Sequence, residues 1–220
     1  SLSPMSGGNR LIWDMRYPGF KSFEGMVLYS SPNVGPKVAP GKYNIKMTYN
    51  DQILQKEFEI VKDPRVKISQ ADYQDQLEFL INVRDEVSRA NQKIIDIRNI
   101  KNNMTFIRDK SSNNLELQEL INKYLTDISE IENNIHMTKN QSRQDPLNYG
   151  IRINNRIAFL LADSQRGDYP PTDQSKEFFI QIKEELDTEI LKLDALIDKH
   201  SQKIENYLKE NKIELISLNN

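Results

Sequence analysis

The chain of 220 residues contains no cysteine and only two histidines, His136 and His200. Without cysteine there are no disulfide bonds, no thiol catalysis and no cysteine-based zinc site. Neither histidine lies in a His-x-x-x-His or Glu-x-x-His pattern, so we expect no metal and no other cofactor. No apolar run is long enough to cross a bilayer, and the chain does not open like a signal peptide. We therefore expect no transmembrane segment.

The chain also lacks a strong excess of charge of one sign, because its formal net charge is -2. Residues 1–68 hold 10 Lys and Arg against 6 Asp and Glu, and the rest holds 20 against 26. Neither part has the clustered basic composition of a nucleic-acid-binding domain, so no nucleic-acid partner is expected. Only 37% of the residues are hydrophobic, which favours an elongated helical architecture over a thick α/β core.

Period-two alternation marks the first part of the chain as β-structure. The pattern predicts a strand around Trp13, a short one at 26–29, and a hairpin that turns at Asn50-Asp51. The alternating apolar residues are Leu11, Trp13 and Met15, then Tyr43, Ile45, Met47 and Tyr49, then Leu54, Phe58 and Ile60. Four short strands are too few for a complete sandwich, so we expect an incomplete sheet with an exposed edge.

Beyond residue 69 the apolar period changes to three and four, which is typical of amphipathic helices. The pattern predicts helices over about 70–110, 114–138, 146–165 and 172–213. Candidate N-caps precede them at Ser69, Asn113, Asp145 and Thr172. The fold class is thus predicted to be α+β: a β-domain over 1–62, a linker over 63–69, and an antiparallel, up-down four-helix bundle with long helices over 70–220.

Several motifs together resemble one known family. They are Asn9-Arg10 with Trp13-Asp14 and Arg16-Tyr17-Pro18, then Pro40-Gly41-Lys42-Tyr43, Lys62-Asp63-Pro64-Arg65, Asp145-Pro146-Leu147-Asn148-Tyr149 with Asn154-Asn155, and Pro171-Thr172-Asp173-Gln174-Ser175. This set resembles the C-terminal region of bacterial secreted propeller glycosyl hydrolases of the BNR-repeat or sortilin-like type. In that family an Ig-like domain of the flagellar-hook-capping type is followed by a helical domain.

The resemblance implies a position within a larger protein and no active site. It implies a partial Ig-like β-sandwich whose further strands lie upstream, an upstream propeller domain as the partner, and an extracellular, periplasmic or cell-envelope location. The expected function is that of a non-catalytic accessory module that orients or stabilises the propeller or mediates assembly. A homodimer could form through the exposed sheet edge or the bundle.

Two groups of residues are candidates for a ligand site or an interface. Trp13 and Tyr17, with Phe20, could form an aromatic platform for sugars, whereas the alternation places Trp13 in the core of the small sheet. The second group is a polar concentration in a helical stretch, and buried amide packing is its ordinary explanation. Its members are Asn148, Tyr149, Asn154, Asn155 and Arg156.

The remaining candidates have structural explanations. The acidic pairs Glu130 with Glu132 and Glu184-Glu185 are expected on solvated helix faces. His136 is expected at a helix C-terminus, where a cation is favourable, and His200 on an apolar stripe. Two alternatives to the accessory module stay open: a helical module that binds another protein, and a carbohydrate-binding unit.

Overall fold

The computed structural model describes residues 6–111 and 113–211 and has an α+β fold. Two strands come first, β1 (Gly41–Tyr49) and β2 (Gln52–Ile60), and five helices follow. The helices are α1 (Gln70–Lys110), α2 (Leu115–Ile135), α3 (Pro146–Tyr149), α4 (Ile153–Ser164) and α5 (Asp173–Glu210). None of the helices within the described ranges is long and apolar enough to span a membrane.

The predicted hairpin is confirmed, including its turn. β1 and β2 pair antiparallel from Gly41 opposite Ile60 to Tyr49 opposite Gln52. The connecting residues Asn50 and Asp51 have φ angles of 45° and 64°. Two successive positive φ angles define the I′ turn, whose twist matches that of the flanking strands, and Asn and Asp tolerate this conformation.

The other predicted strands are absent from the described residues. Around Trp13 the only pairing is an isolated bridge between Arg16 and Lys37. Met15 takes a φ of 59°, and the indole N–H of Trp13 donates to the carbonyl oxygen of Arg16 at 3.1 Å. This local turn competes with extended pairing, so the alternation there does not produce a strand. Residues 26–29 also lie outside any sheet.

Three of the four predicted helices have nearly the predicted bounds. α1 matches, and it begins with a capping box. Ser69 Oγ accepts from the backbone N–H of Asp72 at 3.1 Å, and the Asp72 carboxylate accepts from the backbone N–H of Ser69 at 3.0 Å. α2 begins after Asn114, not Asn113, because the Asn114 side chain accepts from the N–H of Leu117 at 3.0 Å. α2 ends at residue 135, short of the predicted 138, since His136 is extended.

α5 begins after Thr172, whose hydroxyl oxygen accepts from the N–H of Ser175 at 3.1 Å. It extends to Glu210, and residues 212–213 of the predicted helix lie outside the described residues.

The predicted third helix, 146–165, is divided in two. Gly150 has a φ of 79°, which ends α3 after one turn, and α4 begins only at Ile153. Asp145 does not cap α3 with its side chain. Instead its carboxylate accepts from the N–H groups of Gln141 and Ser142 at 2.7 and 2.8 Å and closes the preceding loop.

Hydrogen bonds between α1 and α2 show that the two helices run in opposite directions. Arg98 Nε donates to Glu132 Oε1 at 2.9 Å. Ten residues later along α1, Arg108 Nη1 donates to Asn122 Oδ1 at 3.4 Å. Residue numbers rise along α1 while those of their α2 partners fall, so the two helices are antiparallel as predicted.

α4 runs in the same direction as α2, and this corrects the predicted up-down order. Gln76 Nε2 donates to the carbonyl oxygen of Ser164 at 3.1 Å, and Asn91 Oδ1 accepts from Asn154 Nδ2 at 3.1 Å. α4 is therefore also antiparallel to α1. Because α3 and its loops do not reverse the chain, α2 and α4 follow one another along α1, where an up-down four-helix bundle requires opposite directions.

α5 is parallel to α1. Ion pairs join Lys176 to Asp75 at 3.1 Å near the beginning of both helices, and Lys93 to Asp194 at 3.6 Å further along. One end of the helical body thus consists of α1, α2 and α5, and the other of α1, α4 and α5. Fully buried side chains fill both ends, among them Val83, Val87, Ile94, Ile97, Ile121, Tyr124, Ile128, Ile157, Leu161, Ile182, Leu186 and Leu193.

An irregular segment, residues 17–36, packs along α1 and α4, and we call it the docked segment. Phe20 is buried in the helical core. Asn155 holds the backbone of Tyr29, since its Oδ1 accepts from the N–H at 2.7 Å and its Nδ2 donates to the carbonyl at 3.0 Å. Asn91 Nδ2 donates to the carbonyl of Lys21 at 2.6 Å. Helix asparagines thus supply the hydrogen bonds that a strand neighbour would otherwise make.

We predict that Asn155→Ala lowers the free energy of unfolding by about 2 kcal/mol, because it leaves part-buried backbone groups without partners. Equilibrium urea unfolding followed by circular dichroism measures this. Asn148→Ala is the matched control, since Asn148 is exposed, and it should change stability by no more than about 0.5 kcal/mol. Equal effects of the two substitutions would contradict the role assigned to Asn155.

Candidate functional site

An aromatic group lies at the base of the hairpin. The Trp13 ring meets Tyr43 and Phe58 edge-on, each with ring centroids 6.2 Å apart, and Tyr43 stacks on Phe58 at 6.0 Å. Burial and the nearby phenol of Tyr17 raise the pKa of Tyr43. Trp13 thus contacts two hairpin residues that the sequence analysis did not include among the candidates, and Tyr17 lies near one of them, Tyr43.

The core position predicted for Trp13 is wrong. Its side chain is 42% exposed, and its supposed companions Leu11 and Met15 are 61% and 51% exposed. The reason is that residues 11–15 form no strand, so they have no sheet face that could be covered. Trp13 instead rests with one edge on the hairpin and leaves part of its surface open.

The aromatic group continues into an exposed apolar surface. By the strand register, six apolar side chains between Tyr43 and Phe58 share one face of the hairpin, and we call this set the hairpin apolar face: Tyr43, Ile45, Met47, Tyr49, Leu54 and Phe58. From Ile45 to the tip these side chains are exposed, by 52% for Ile45 and 62% for Leu54. The opposite face is mostly polar and carries Lys42, Asn44, Lys46, Thr48, Ile53, Gln55, Glu57 and Glu59.

A cleft of about 470 Å³ lies beside this aromatic group, between the hairpin base, the start of α1 and the loop before α5. Its charged lining is mixed and consists of Arg16, Lys37, Lys62, Asp14, Asp63 and Asp168. Tyr73 donates its hydroxyl to Asp168 at 3.1 Å, and burial followed by this contact raises the pKa of Tyr73. Arg16 Nη1 donates to Gln165 Oε1 at 3.1 Å and to the Gly35 carbonyl at 2.8 Å.

The polar concentration predicted around α3 and α4 is not one site. Asn154 and Asn155 are buried and pack against α1 and the docked segment, which confirms the interpretation as buried amides. Asn148 and Tyr149 are exposed, separate from these two. Arg156 pairs with Glu185 at 2.5 Å and lies over the ring of Phe178, 5.5 Å from its centroid.

His136 differs from its predicted role as a cation at a helix end. It is 2% exposed, and burial lowers its pKa from 6.5 to about 4, so the ring is neutral at neutral pH. Its Nδ1 lies 3.2 Å from Asn154 Nδ2, and Phe23 of the docked segment meets the ring edge-on at 5.0 Å. The position at the C-terminus of α2 was right, but burial outweighs the helix dipole there.

His200 lies on the apolar stripe as predicted and is buried. Its Nε2 is 3.1 Å from Asp127 Oδ2, and its ring stacks on Tyr124 at 4.7 Å. Burial lowers the pKa of His200, and the carboxylate of Asp127 opposes that effect.

The acidic pairs were expected on solvated helix faces, and for Glu132 this expectation is wrong. Glu130 and Glu184 are exposed, whereas Glu132 is buried and accepts from Arg98 and Lys101 at 2.9 and 2.8 Å. These two cations hold the pKa of Glu132 below its ordinary value against the opposing effect of burial. In the part of the chain that the structure describes, no three His, Asp or Glu side chains are grouped as metal ligands.

No protein family, curated protein or solved structure matches this chain. The resemblance to propeller glycosyl hydrolases therefore stays a prediction from the sequence motifs.

We predict that acid destabilises the protein through His136. The unfolded pKa is near 6.5 and the folded pKa is about 4, so only the unfolded state takes up a proton at this residue as the pH falls through that window. Stability should drop by at most about 3 kcal/mol between these pH values, and the contribution of His136 should be constant below about pH 4.

Urea unfolding at a series of pH values measures this effect, and His136→Gln should flatten the slope between pH 6.5 and 4. His200→Gln is the comparison, because it removes the other buried imidazole and leaves the contribution of His136 in place. An unchanged slope in His136→Gln would contradict the assignment.

Proposed function

We propose that this chain is a non-catalytic accessory module of a secreted propeller glycosyl hydrolase-type protein, and that it orients or stabilises the propeller. The hairpin apolar face carries the proposal, because it is a sizeable apolar surface that the described residues leave uncovered. The largest apolar patch on a monomeric protein is often a binding site. The family resemblance supplies the propeller as partner and the extracellular or periplasmic location.

The helical body supports the mechanical part of this proposal. α1 has 41 residues and, at 1.5 Å per residue, is about 60 Å long. The hairpin is joined to it by a small apolar cluster of Ala39, Ile68 and Tyr73. The docked segment adds a second connection, because it leads from the aromatic group to α1 and α4. A module built in this way can hold whatever binds the hairpin at a defined orientation.

We interpret the hairpin as part of an Ig-like β-domain whose other strands belong to a neighbouring segment. A two-stranded hairpin is at best marginally stable by itself in water. Both strands have nine residues, yet beyond the aromatic group they contact little other than each other. A covering sheet accounts for the length of these strands and for their alternation.

The proposal predicts that this chain binds a separately produced upstream propeller region through the hairpin. Met47→Glu should weaken binding by roughly tenfold or more, because it buries an unpaired carboxylate in an apolar contact. Thr48→Glu, one residue along β1 and on the polar face, is the matched control and should bind like the unchanged chain. Isothermal titration calorimetry measures both.

Absence of binding by the unchanged chain would refute the attachment to a propeller. Equal loss of affinity in Met47→Glu and Thr48→Glu would show that binding does not depend on the apolar face of the hairpin. Circular dichroism of each variant checks that the helical body is intact.

A carbohydrate-binding unit is the second candidate, and the position of Trp13 is the observation that favours it. The partly exposed indole donates to the carbonyl oxygen of Arg16, which lines a cleft together with carboxylates, amides and other cations. Aromatic faces stack on the flat apolar faces of sugars, and such polar groups fix their hydroxyls.

If this second function holds, a glycan array should show binding that Trp13→Ala abolishes. Leu11→Ala removes an exposed side chain from the same segment and should leave binding unchanged. The accessory-module proposal predicts no glycan signal for any of the three proteins.

A further inference from the structure

We infer that the occupant of the hairpin apolar face is the apolar face of a second β-sheet that places a carboxylate opposite Lys56. This inference rests on the proposed function, in which the face is an attachment surface, and it adds the chemistry of the partner.

The first argument is the arrangement of the face. Its side chains come from four successive cross-strand pairs on one side of the hairpin: Tyr43 with Phe58, Ile45 with Lys56, Met47 with Leu54, and Tyr49 with Gln52. They lie in two rows, one on each strand, and neighbouring strands are about 5 Å apart. Stacked sheets pack about 10 Å apart through such rows, with side chains of the two faces interdigitating.

The second argument is the charge of Lys56. It is the one charged side chain among these four pairs, and it makes no hydrogen bond or ion pair with any residue in the described ranges. The nearest acidic residue in the sequence, Glu57, faces the other way and pairs with Lys42 at 3.4 Å. An occupant that buries Lys56 without a counter-charge would be penalised, so the partner has to bring a carboxylate.

A second copy of the same face does not meet these requirements. Lys56 lies near the middle of the face, so two copies packed about a twofold axis would bring two ammonium groups together without a carboxylate.

The open strand edges distinguish a sheet from a helix as occupant. Among the described residues β1 and β2 pair only with each other, so each has an outer edge with unpaired N–H and C=O groups. A β-partner can cover the face and also extend or flank these edges. A helix can cover the face but leaves the edges as they are.

Site-specific crosslinking in the intact protein, as its own host produces it, tests the inference. A photoreactive p-benzoylphenylalanine replaces Met47 on the apolar face, or Thr48 on the polar face as the matched control. In parallel, carbodiimide couples the amine of Lys56 directly to any carboxylate in contact. Lys56→Arg is its control, because arginine keeps the charge but does not form the amide. Mass spectrometry identifies the linked peptides.

The inference expects a crosslink from position 47, and little from position 48, to a segment with alternating apolar residues. It also expects Lys56 to couple to an Asp or Glu in that same segment, and the coupling to be lost in Lys56→Arg. A crosslink from position 47 to a helical segment, or to position 47 of a second copy, would overturn the sheet partner and leave the attachment surface standing. No crosslink from position 47 at all would overturn both the inference and the proposed function.

Discussion

The structure depends on one constraint: the irregular backbone of the docked segment must have its hydrogen bonds satisfied without a sheet. Asn91 on α1 and Asn155 on α4 meet this requirement by bonding main-chain groups of Lys21 and Tyr29. Asparagine is a poor helix former, so its presence in the buried faces of two helices reflects this tertiary role. Phe20 of the same segment packs in the helical core, so both hydrogen bonds and apolar contacts hold the docked segment in place.

The base of the hairpin and the part beyond it differ in how many contacts they make with the rest of the protein. The base of the hairpin is held by the small cluster around Tyr73 and by the aromatic contacts of Trp13. Beyond the base, the hairpin apolar face has no neighbours within the described residues. The helical body therefore has a core of fully buried side chains, whereas the hairpin exposes the kind of surface that sheets normally bury.

Local signals were sufficient for the elements but not for their arrangement. Apolar periodicity and side-chain caps such as Ser69 and Thr172 placed the long helices, and Asn50-Asp51 placed the hairpin, because these are short-range effects. The direction of α4 could not be predicted, since periodicity does not report which neighbour a helix packs against. Gly150 was the available signal for the break before it. The burial of Asn154 and Asn155 was anticipated, whereas that of Asn91 was not, and neither was the docked segment, which has no periodicity. Alternation predicted the strands that carry the hairpin apolar face, but it does not reveal whether another part of the protein covers that face.

Site-resolved amide hydrogen exchange, measured by NMR on the isolated chain, tests the account most directly. The account predicts that the amides of Lys21 and Tyr29, which donate to Ser88 and Asn155, exchange nearly as slowly as the core of α1. It predicts much faster exchange for the hairpin amides near the tip, from about Lys46 to Leu54, because nothing covers that end. Fast exchange at Lys21 and Tyr29 would contradict the hydrogen bonding of the docked segment. Equally slow exchange throughout the hairpin would contradict an uncovered hairpin apolar face.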